Sequence, residues 1–269
     1  MATPHSALPI HLSSAPMLEL SDHKHNCVYR PNHIARMPLL YPTRRLTPEE
    51  LDEQLAIGRR RSGAFVYYTA CPTCSACEPT RLEVQRFTPS RSMKRVANYG
   101  DKHLETRIRR PSGDTMRLEL FNLHRQQRNL AATNDNYSFE DFNGFLIESC
   151  CDSYELSFWY QDALIASSIV DCGHESVSAV YTFFHPSYAR FSPGTYSILK
   201  QIEWTAKQGK RYLYLGMFVA DNQHLRYKAR FAPQERLIGG KWIAFEQPLA
   251  DWTDAIGVPG EQEESYPKK

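Results

Sequence analysis

The chain has 269 residues, of which 42% are hydrophobic and 23% charged, a composition typical of a globular protein with a sizeable core. Its formal net charge of +2 is too small to indicate nucleic-acid binding by overall charge. No apolar run reaches the roughly 18 residues of a membrane span, and Ala7–Leu20 is too interrupted for a secretion signal. We therefore expect a cytoplasmic protein without a membrane partner, whose seven cysteines are thiols or metal ligands rather than disulfides.

The first part of the chain is predicted to be a small α+β unit. Residues 1–22 are polar and aperiodic, which indicates a disordered lead-in, and the ordered region is expected over residues 23–113. Thr47 and Glu50 form a capping-box pattern at a helix start. The arginine run 59–61 is typical of cations at a helix end, and phosphate contact is the alternative. Strands are predicted at Arg36–Tyr41, Ala64–Thr69, Arg81–Phe87 and Leu104–Arg110, and a second helix at Ser92–Tyr99.

The second part, residues 114–247, begins after a turn and is predicted to be a larger α+β unit. Asp114 is placed to cap a helix over Thr115–Ala131, whose buried face would contain Met116, Leu120, Leu123 and Leu130. A second helix starts at Ser138. Then follow strands at Glu155–Tyr160, Leu164–Asp171 and Val177–Phe184, a helix at Gly194–Lys207, a strand at Tyr212–Gly216, a helix at Asn222–Arg230 and a strand at Lys241–Phe245. Residues 248–269 form an acidic tail.

Three cysteines at two successive C-x2-C spacings indicate a ligand set. Thiolates two residues apart in a tight turn reach one metal ion, and Cys71, Cys74 and Cys77 have this spacing. Cys27 would supply a fourth ligand, which predicts a zinc ion or an iron–sulfur cluster. The alternative is that these cysteines are packed structural thiols.

A basic, hydroxyl-rich segment follows the cysteines. Between Arg81 and Arg110 nine lysines and arginines face three acidic residues. Guanidinium and hydroxyl groups are common phosphate ligands, so we predict a phosphate-binding surface, although a solvated face would have the same composition. Its members are Arg81, Arg86, Arg91, Lys94 and Arg95.

A cleft is predicted where the strand ending at Phe184, the helix starting at Gly194 and the strand around Tyr214 meet. His185 precedes a proline and is expected to be extended and accessible, although a turn histidine without a role is the alternative. Near the cleft, Arg226 and Arg230 would share one helix face, with Lys228 elsewhere on the helix. These cations would hold a nucleic-acid backbone or an acidic side chain, and a solvated helix without such a role is the alternative.

These segments together resemble the aminoacyl-tRNA–protein transferases, a family that includes eukaryotic arginyltransferases and bacterial aspartate/glutamate leucyltransferases. The matching motifs are Cys71-x2-Cys74-x2-Cys77-x-Pro79-x-Arg81, Phe87-x-Pro89-Ser90-Arg91-Ser92, Ala179–Phe184 with Pro186, Gly194-Thr195, Tyr212–Gly216 and Tyr227-Lys228-x-Arg230-Phe231-x-Pro233. The resemblance extends from Cys27 to Phe245, and the cysteine triplet is closer to the bacterial branch. The run Asp221–Arg226 departs from the Gly-Cys-Arg-Lys-Met-Asn-like run usual in bacterial members.

The resemblance implies an acetyltransferase-like (GNAT-type) C-terminal domain that binds the 3′ end of a charged tRNA. Such an enzyme transfers an aminoacyl group, with leucine favoured and arginine possible, to proteins that begin with Asp or Glu, and so marks them for degradation. No cofactor is required for this transfer. Tyr181, His185 and Tyr214 would line the reacting centre, Arg226, Lys228 or Arg230 would bind the acceptor's carboxylate, and the basic segment would bind tRNA.

Two other functions fit parts of the sequence. An acyl-CoA-dependent acyltransferase shares the implied fold but needs a glycine-rich pyrophosphate loop, of which Arg190–Thr195 has only a fragment. A metal-containing nucleic-acid-binding protein without catalysis would explain the cysteines and the basic segment but not the cleft motifs.

Overall fold

A computed structural model describes residues 15–128 and 136–249. The strands of the first half are Met17–Ser21 (β1), Lys24–Asn26 (β2), Ile34–Arg36 (β3), Leu39–Pro42 (β4), Arg60–Ser62 (β5), Phe65–Tyr67 (β6), Glu78–Glu83 (β7) and Glu105–Arg109 (β8). Its helices are Pro48–Ala56 (α1) and Arg91–His103 (α2).

The second half contains three α-helices, two 3₁₀ helices and six strands within the described residues. The helices are Thr115–Gln127 (α3), Phe139–Phe142 (α4, continued by the π-helical turn Asn143–Ile147) and Pro193–Lys207 (α5), with 3₁₀ helices at Pro186–Phe191 and Arg226–Arg230. The strands are Ser153–Tyr160 (β9), Ala163–Cys172 (β10), Ser176–Phe184 (β11), Tyr212–Phe218 (β12), Gln234–Ile238 (β13) and Lys241–Phe245 (β14).

One eight-stranded sheet organises the molecule. Its order is β14-β13-β7-β12-β11-β10-β9-β8, and β11 and β12 are its one parallel pair within the described part of the chain. A four-stranded sheet has the order β1-β4-β6-β5, and β2 pairs with β3. The predicted α+β class with a mostly antiparallel sheet therefore agrees with the observed mixed architecture.

The large sheet includes strands from both sides of the boundary predicted at residues 113 and 114. β7 and β8 precede this boundary, yet β7 pairs with β12 and β13, and β8 pairs with β9. The division into two units stays a prediction, but the hydrogen-bonded framework is continuous across it.

Helix starts are the local feature that the sequence predicts best. Thr47 and Glu50 form the expected reciprocal capping box at α1, and Asp114 accepts a hydrogen bond from the Arg117 backbone at α3. Ser138 begins α4 with its own capping box. Side-chain oxygens of this kind satisfy backbone N–H groups that have no partner in the first turn.

Several predictions for the first half need correction. The strand predicted at Arg36–Tyr41 is divided into β3 and β4 because Pro38 has no N–H to donate to a ladder. The arginine run 59–61 does not end a helix in solvent, since Arg60 and Arg61 are buried on β5. The lead-in predicted through residue 22 contains β1, which gains ladder bonds from β4.

Corrections in the second half are smaller. Met116 is 48% exposed, whereas Arg117, Phe121 and His124 join Leu120 on the buried side of α3. The predicted position of Leu130 and most of the acidic tail lie outside the described residues. The strand β13 has no counterpart in the sequence prediction, because its composition, Gln-Glu-Arg-Leu-Ile, does not alternate as expected for a half-buried strand.

Hydrophobic residues on the two faces of the large sheet contact different helices. Leu156 and Phe158 of β9 pack with α2 and α5, whereas Trp159 on the opposite face packs with α3 and α4. The central strands are thereby covered on both sides. In the described part of the chain, no helix has the length and apolarity to span a bilayer.

A glycine controls the contact between α2 and α5. A Cβ on Gly100 would lie 2.2 Å from the ring of Tyr196, a buried residue whose hydroxyl donates to Asp101. We expect Gly100→Ala to lower the free energy of unfolding by about 1–3 kcal/mol through overpacking, as measured by denaturant titration. Gly144→Ala is the matched control, since no atom lies within 4 Å of the added Cβ. Equal stability of both variants would contradict this account.

Candidate active site

The parallel strands β11 and β12 separate after a short paired segment. Only Ser176–Ser178 pair with Tyr212–Tyr214, although both strands continue for several residues. Each strand is irregular where the pairing ends: the β10–β11 register shifts at Val180, and the β7–β12 register shifts at Leu215. Bulges end pairing and redirect side chains, often next to functional sites. We call this feature the strand opening.

Two buried cations occupy the strand opening. Arg60 is 6% exposed, and its Nη2 donates to the carbonyl of Ala179 on β11 at 2.5 Å. Lys228 is 7% exposed, and its Nζ donates to the carbonyl of Met217 on β12 at 2.6 Å. The two side chains therefore satisfy carbonyl groups on the two diverging strands.

Burial strongly changes the acid–base properties of Lys228. Loss of solvent, with a smaller effect from Arg60, lowers the pKa of Lys228 to about 7. Burial also lowers the pKa of Arg60, and the phenols Tyr29 and Tyr67 lie close enough to interact with its charge. Perturbed groups of this kind cluster at functional sites.

Tyr181 lies on β11 within an aromatic group. Its ring contacts Phe121, Phe145 and His124, with centroid separations of 5.5, 5.7 and 6.4 Å. Burial raises the pKa of Tyr181 to about 12, so its hydroxyl stays protonated near neutral pH. This phenol can donate a hydrogen bond, but it is a poor base.

The structure does not bring the three predicted catalytic residues together. Tyr181 and His185 are four positions apart along an extended segment, which corresponds to about 13 Å. The Nδ1 atom of His185 accepts the Ser187 N–H at 3.2 Å and so caps a 3₁₀ helix. Tyr214 is 3% exposed, and its hydroxyl accepts a hydrogen bond from Arg81 at 3.1 Å. The catalytic roles of Tyr181, His185 and Tyr214 stay predictions.

The predicted acceptor-binding cations also separate. The segment Arg226–Arg230 is a 3₁₀ helix with three residues per turn, so Arg226 and Arg230 do not share the face expected of an α-helix. Both are partly exposed, whereas Lys228 points into the buried strand opening. Phe231, which ends this helix, stacks on Phe87 with a centroid distance of 6.1 Å.

The predicted phosphate-binding residues fall into two groups. Arg81 forms an ion pair with Glu235 at 2.7 Å, and its guanidinium lies 4.1 Å from the ring centroids of Tyr212 and Trp242, so it is part of the packing. Arg86 forms an exposed ion pair with Glu246 at 3.0 Å. The other three residues are exposed on the first turns of α2: Arg91, Lys94 and Arg95.

The four predicted metal ligands are neighbours, but their sulfurs do not converge. Burial, followed by the nearby thiols of Cys27, Cys71 and Cys74, raises the pKa of Cys77 to about 12. Among the described residues, however, no three His, Cys, Asp or Glu side chains approach closely enough to bind one ion. The chemistry of the donor set suits zinc or an iron–sulfur cluster, whereas the observed geometry does not, and the metal site stays a prediction.

The run Asp221–Arg226, whose sequence differs from that usual in bacterial members of the family, contacts the cysteine-containing region. Asp221 forms an ion pair with Arg30 at 2.8 Å, and Arg30 also donates to the sulfur of Cys74 at 3.2 Å. The side chain of Asn222 donates to the carbonyl of Tyr29. The segment before Tyr227 is therefore anchored to the N-terminal half of the chain.

Arg60 is the site residue that sequence reasoning missed. In the sequence it is the middle member of an arginine run after a glycine, and this pattern is typical of a helix end. Neither its burial nor its contact with β11 has a local signal, because the contact joins residues 119 positions apart.

Comparison with known proteins identifies the family. The model of the N-terminal region of arginine-tRNA-protein transferases matches residues 25–95, and that of the C-terminal region matches residues 116–238. The chain belongs to the arginine-tRNA–protein transferase family. It is therefore an aminoacyl-tRNA–protein transferase, as the motifs around Cys71 and Tyr181 predicted.

Curated relatives of this transferase are named aspartate/glutamate leucyltransferases. The protein from Acinetobacter baumannii is 34% identical over 226 residues, which cover 84% of this chain and 83% of the relative. Those from Methylobacillus flagellatus and Thiobacillus denitrificans are 31% and 30% identical, with 81% and 83% of this chain and 88% and 92% of the relatives covered. The solved structure of FemX aligns over 64% of this chain and 60% of its own with a TM-score of 0.43 and 7% identity.

The buried His124 beside Tyr181 makes the transferase sensitive to acid. Burial, aided by Arg128, lowers the pKa of His124 to about 4 from an ordinary value near 6.5. Its contribution to stability is complete above pH 6.5 and is lost as the pH falls towards 4, because the unfolded state binds the proton more tightly. This loss amounts to at most about 3 kcal/mol.

We expect His124→Gln to flatten the fall in unfolding free energy between pH 6.5 and 4, as measured by denaturant titration at a series of pH values. His23→Gln, which changes an exposed histidine, should keep the slope of the parent protein. If His124→Gln and the parent lose stability in parallel over this range, the assignment of a neutral buried histidine is wrong.

Proposed function

We propose that this transferase moves a leucyl group from charged tRNA to the α-amine of proteins that begin with Asp or Glu, and thereby marks them for degradation. The observation that carries the proposal is the match of both family regions together with at least 30% identity to leucyltransferases over most of the chain. Arginine is the second candidate for the transferred amino acid, because the family description names it.

We infer an acetyltransferase-like architecture for the part of the chain that contains the strand opening. Support comes from the topology, in which an antiparallel meander, β9 to β11, is followed by α5 and by a strand parallel to β11. The parallel pair separates after three residues, so backbone N–H groups of both strands face the opening rather than each other. An acyl group bound there would have donors for its carbonyl oxygen.

The substrate's own chemistry determines what the site must supply. An aminoacyl ester is already activated, so the enzyme needs to position a neutral amine and to stabilise an oxyanion. In our proposal the backbone N–H groups beyond the Val180 and Leu215 bulges donate to the oxyanion, and Tyr181 lines the aminoacyl side chain with its aromatic neighbours. His185 and Tyr214 take no part in this scheme, because His185 accepts the Ser187 N–H and the Tyr214 hydroxyl accepts a hydrogen bond from Arg81.

The exposed side of α2 is our candidate surface for tRNA phosphates. Lys94 and Arg95 follow Arg91 by three and four positions, so both lie near Arg91 on the helix surface. The stacked pair Phe87 and Phe231 connects the start of α2 with the 3₁₀ helix that carries Lys228. A tRNA bound on α2 would therefore have its 3′ end near the strand opening. Arg81 is left out, because its charge is already paired.

An acyl-CoA substrate fits the structure less well. A pyrophosphate loop needs several free N–H groups at the start of the following helix. Here α5 begins with Pro193, which has no N–H, and the guanidinium of Arg190 lies 5.0 and 4.9 Å from the rings of Tyr160 and Phe191.

A direct assay tests the proposed reaction. Purified protein is incubated with radiolabelled leucyl-tRNA or arginyl-tRNA and with peptides that begin with Asp, Glu, Asn or Gln. We expect transfer from leucyl-tRNA to the two acidic peptides only. Absence of transfer from both tRNAs would reject the proposal, and transfer from arginyl-tRNA alone would change the donor.

Metal analysis of anaerobically purified protein separately tests the site predicted at Cys27, Cys71, Cys74 and Cys77.

The role of α2 predicts a change in the salt dependence of tRNA binding. Each lost phosphate contact should reduce the slope of log K against log salt concentration by roughly 0.7–0.9. The triple variant Arg91→Gln, Lys94→Gln, Arg95→Gln should therefore lose about two to three units of slope, measured by filter binding at several salt concentrations.

The matched control for this measurement removes the same charge from exposed lysines on other elements. It combines Lys24→Gln, Lys207→Gln and Lys241→Gln. Equal slopes for the two triple variants would show that net charge, rather than the α2 surface, determines tRNA binding.

A further inference from the structure

Arg60 has a donor that no described residue accepts. Only 6% of its surface is exposed, and its Nη2 donates to the Ala179 carbonyl, but its Nη1 is buried without a hydrogen-bond partner. Buried guanidinium groups are normally satisfied by a carboxylate or by several carbonyls. The neighbouring Arg61 also has one nitrogen without a partner, Nη2, but its charge is paired, since both oxygens of Asp171 accept from its Nε at 2.8–2.9 Å.

The ammonium group of Lys228 lies beside this guanidinium. If Gly216 had a Cβ atom, that atom would lie 3.4 Å from Nη2 of Arg60 and 3.4 Å from Nζ of Lys228. The distance between the two nitrogens is therefore at most the sum of these two distances, 6.8 Å. Gly216 has a φ of +90°, and the absence of a side chain leaves the space between the cations open.

These two cations lack an acidic partner in the described structure. No ion pair joins Arg60 or Lys228 to a carboxylate in residues 15–128 or 136–249, and Asp171 is already bound to Arg61. Tyr29 and Tyr67 are near, but burial raises the pKa of both phenols, so they stay neutral. Asp171 is close enough to attract Arg60, but it forms its ion pair with Arg61, so the two adjacent cations have no carboxylate of their own among the described residues. A bound anion would relieve both the desolvation and the repulsion.

We propose that Arg60 and Lys228 bind the side-chain carboxylate of the acceptor's N-terminal Asp or Glu, and that Arg60 thereby determines acceptor specificity. This inference rests on the proposed function. A carboxylate suits the geometry because a guanidinium offers it two parallel hydrogen bonds and the ammonium group adds a third. The amides of Asn and Gln would leave both charges unneutralised, which explains how the site would reject them.

The position of Arg60 and Lys228 at the strand opening agrees with the proposed aminoacyl transfer. Arg60 and Lys228 contact the carbonyls of Ala179 and Met217, on the two strands that border the strand opening. A residue whose carboxylate is held there would have its α-amine only one side-chain length away, where we place the aminoacyl ester. The phosphate-binding surface on α2 is exposed and separate, so the buried pair is left for the smaller anion.

The test compares peptides that differ only in a first residue of Glu or Gln. Affinities for the parent protein, Arg60→Met and Lys228→Met are measured by isothermal titration calorimetry, and leucyl-tRNA affinity by filter binding. We expect each variant to bind the Glu peptide roughly 30-fold or more weakly, the order expected when one partner of a buried charge contact is lost. Binding of the Gln peptide and of leucyl-tRNA should not change.

Arg61→Lys is the control for disturbance of β5. The guanidinium of Arg61 forms an ion pair with Asp171 and is not part of the proposed site. For Arg61→Lys, the ratio of the affinities for the Glu and Gln peptides should therefore equal that of the parent protein, even if the variant is less stable. A merely structural role of Arg60 would lower both affinities together and leave this ratio intact, which would overturn the proposal. Loss of leucyl-tRNA affinity instead would identify the anion as a phosphate and would also overturn it.

The outcomes separate this inference from the proposed function. If the parent protein binds the Glu peptide selectively but transfers no aminoacyl group, the carboxylate site stands and the reaction is wrong. If the parent binds both peptides equally, the carboxylate site is wrong whatever the transfer assay shows, and this comparison does not depend on whether a variant folds.

Discussion

Two consecutive arginines on a three-residue strand, β5, connect the four-stranded sheet with the large sheet. Arg61 reaches Asp171 on β10 through a fully buried ion pair, and Arg60 reaches the Ala179 carbonyl on β11. Both contacts join the four-stranded sheet to the large sheet across more than 100 residues of sequence. A buried ion pair contributes little net stability, but removal of one partner is costly. The strand opening therefore depends on β5 being held in this position.

The functional interpretation follows from the difference between these neighbours. Both are buried and each has one nitrogen without a hydrogen-bond partner, but Arg61 is paired with Asp171, whereas Arg60 forms no ion pair within the described residues. A buried charge is normally paired, so a bound anion would complete the surroundings of Arg60. In our proposal, the opening between β11 and β12 combines backbone N–H groups for the acyl group with two cations for the acceptor's carboxylate.

Local signals in the sequence predict much of the fold, and long-range contacts explain the rest. Capping residues such as Thr47 and Ser138 and the alternating strands β9 to β11 depend on nearby residues, so they are readable from the chain. The burial of Arg60, the packing of Arg81 against Trp242 and the position of β13 depend on partners far along the chain. For the same reason Tyr214 was assigned to the site although its hydroxyl points to Arg81.

The central position of β7 affects how this protein can be made on the ribosome. β7 is an early strand, yet its two sheet neighbours, β12 and β13, are synthesised about 130 and 150 residues later. Until then both of its edges lack partners, and such edges favour association between chains. The sheet can close only after β12 and β13 have been synthesised, so a fragment that begins at residue 114 would lack a middle strand.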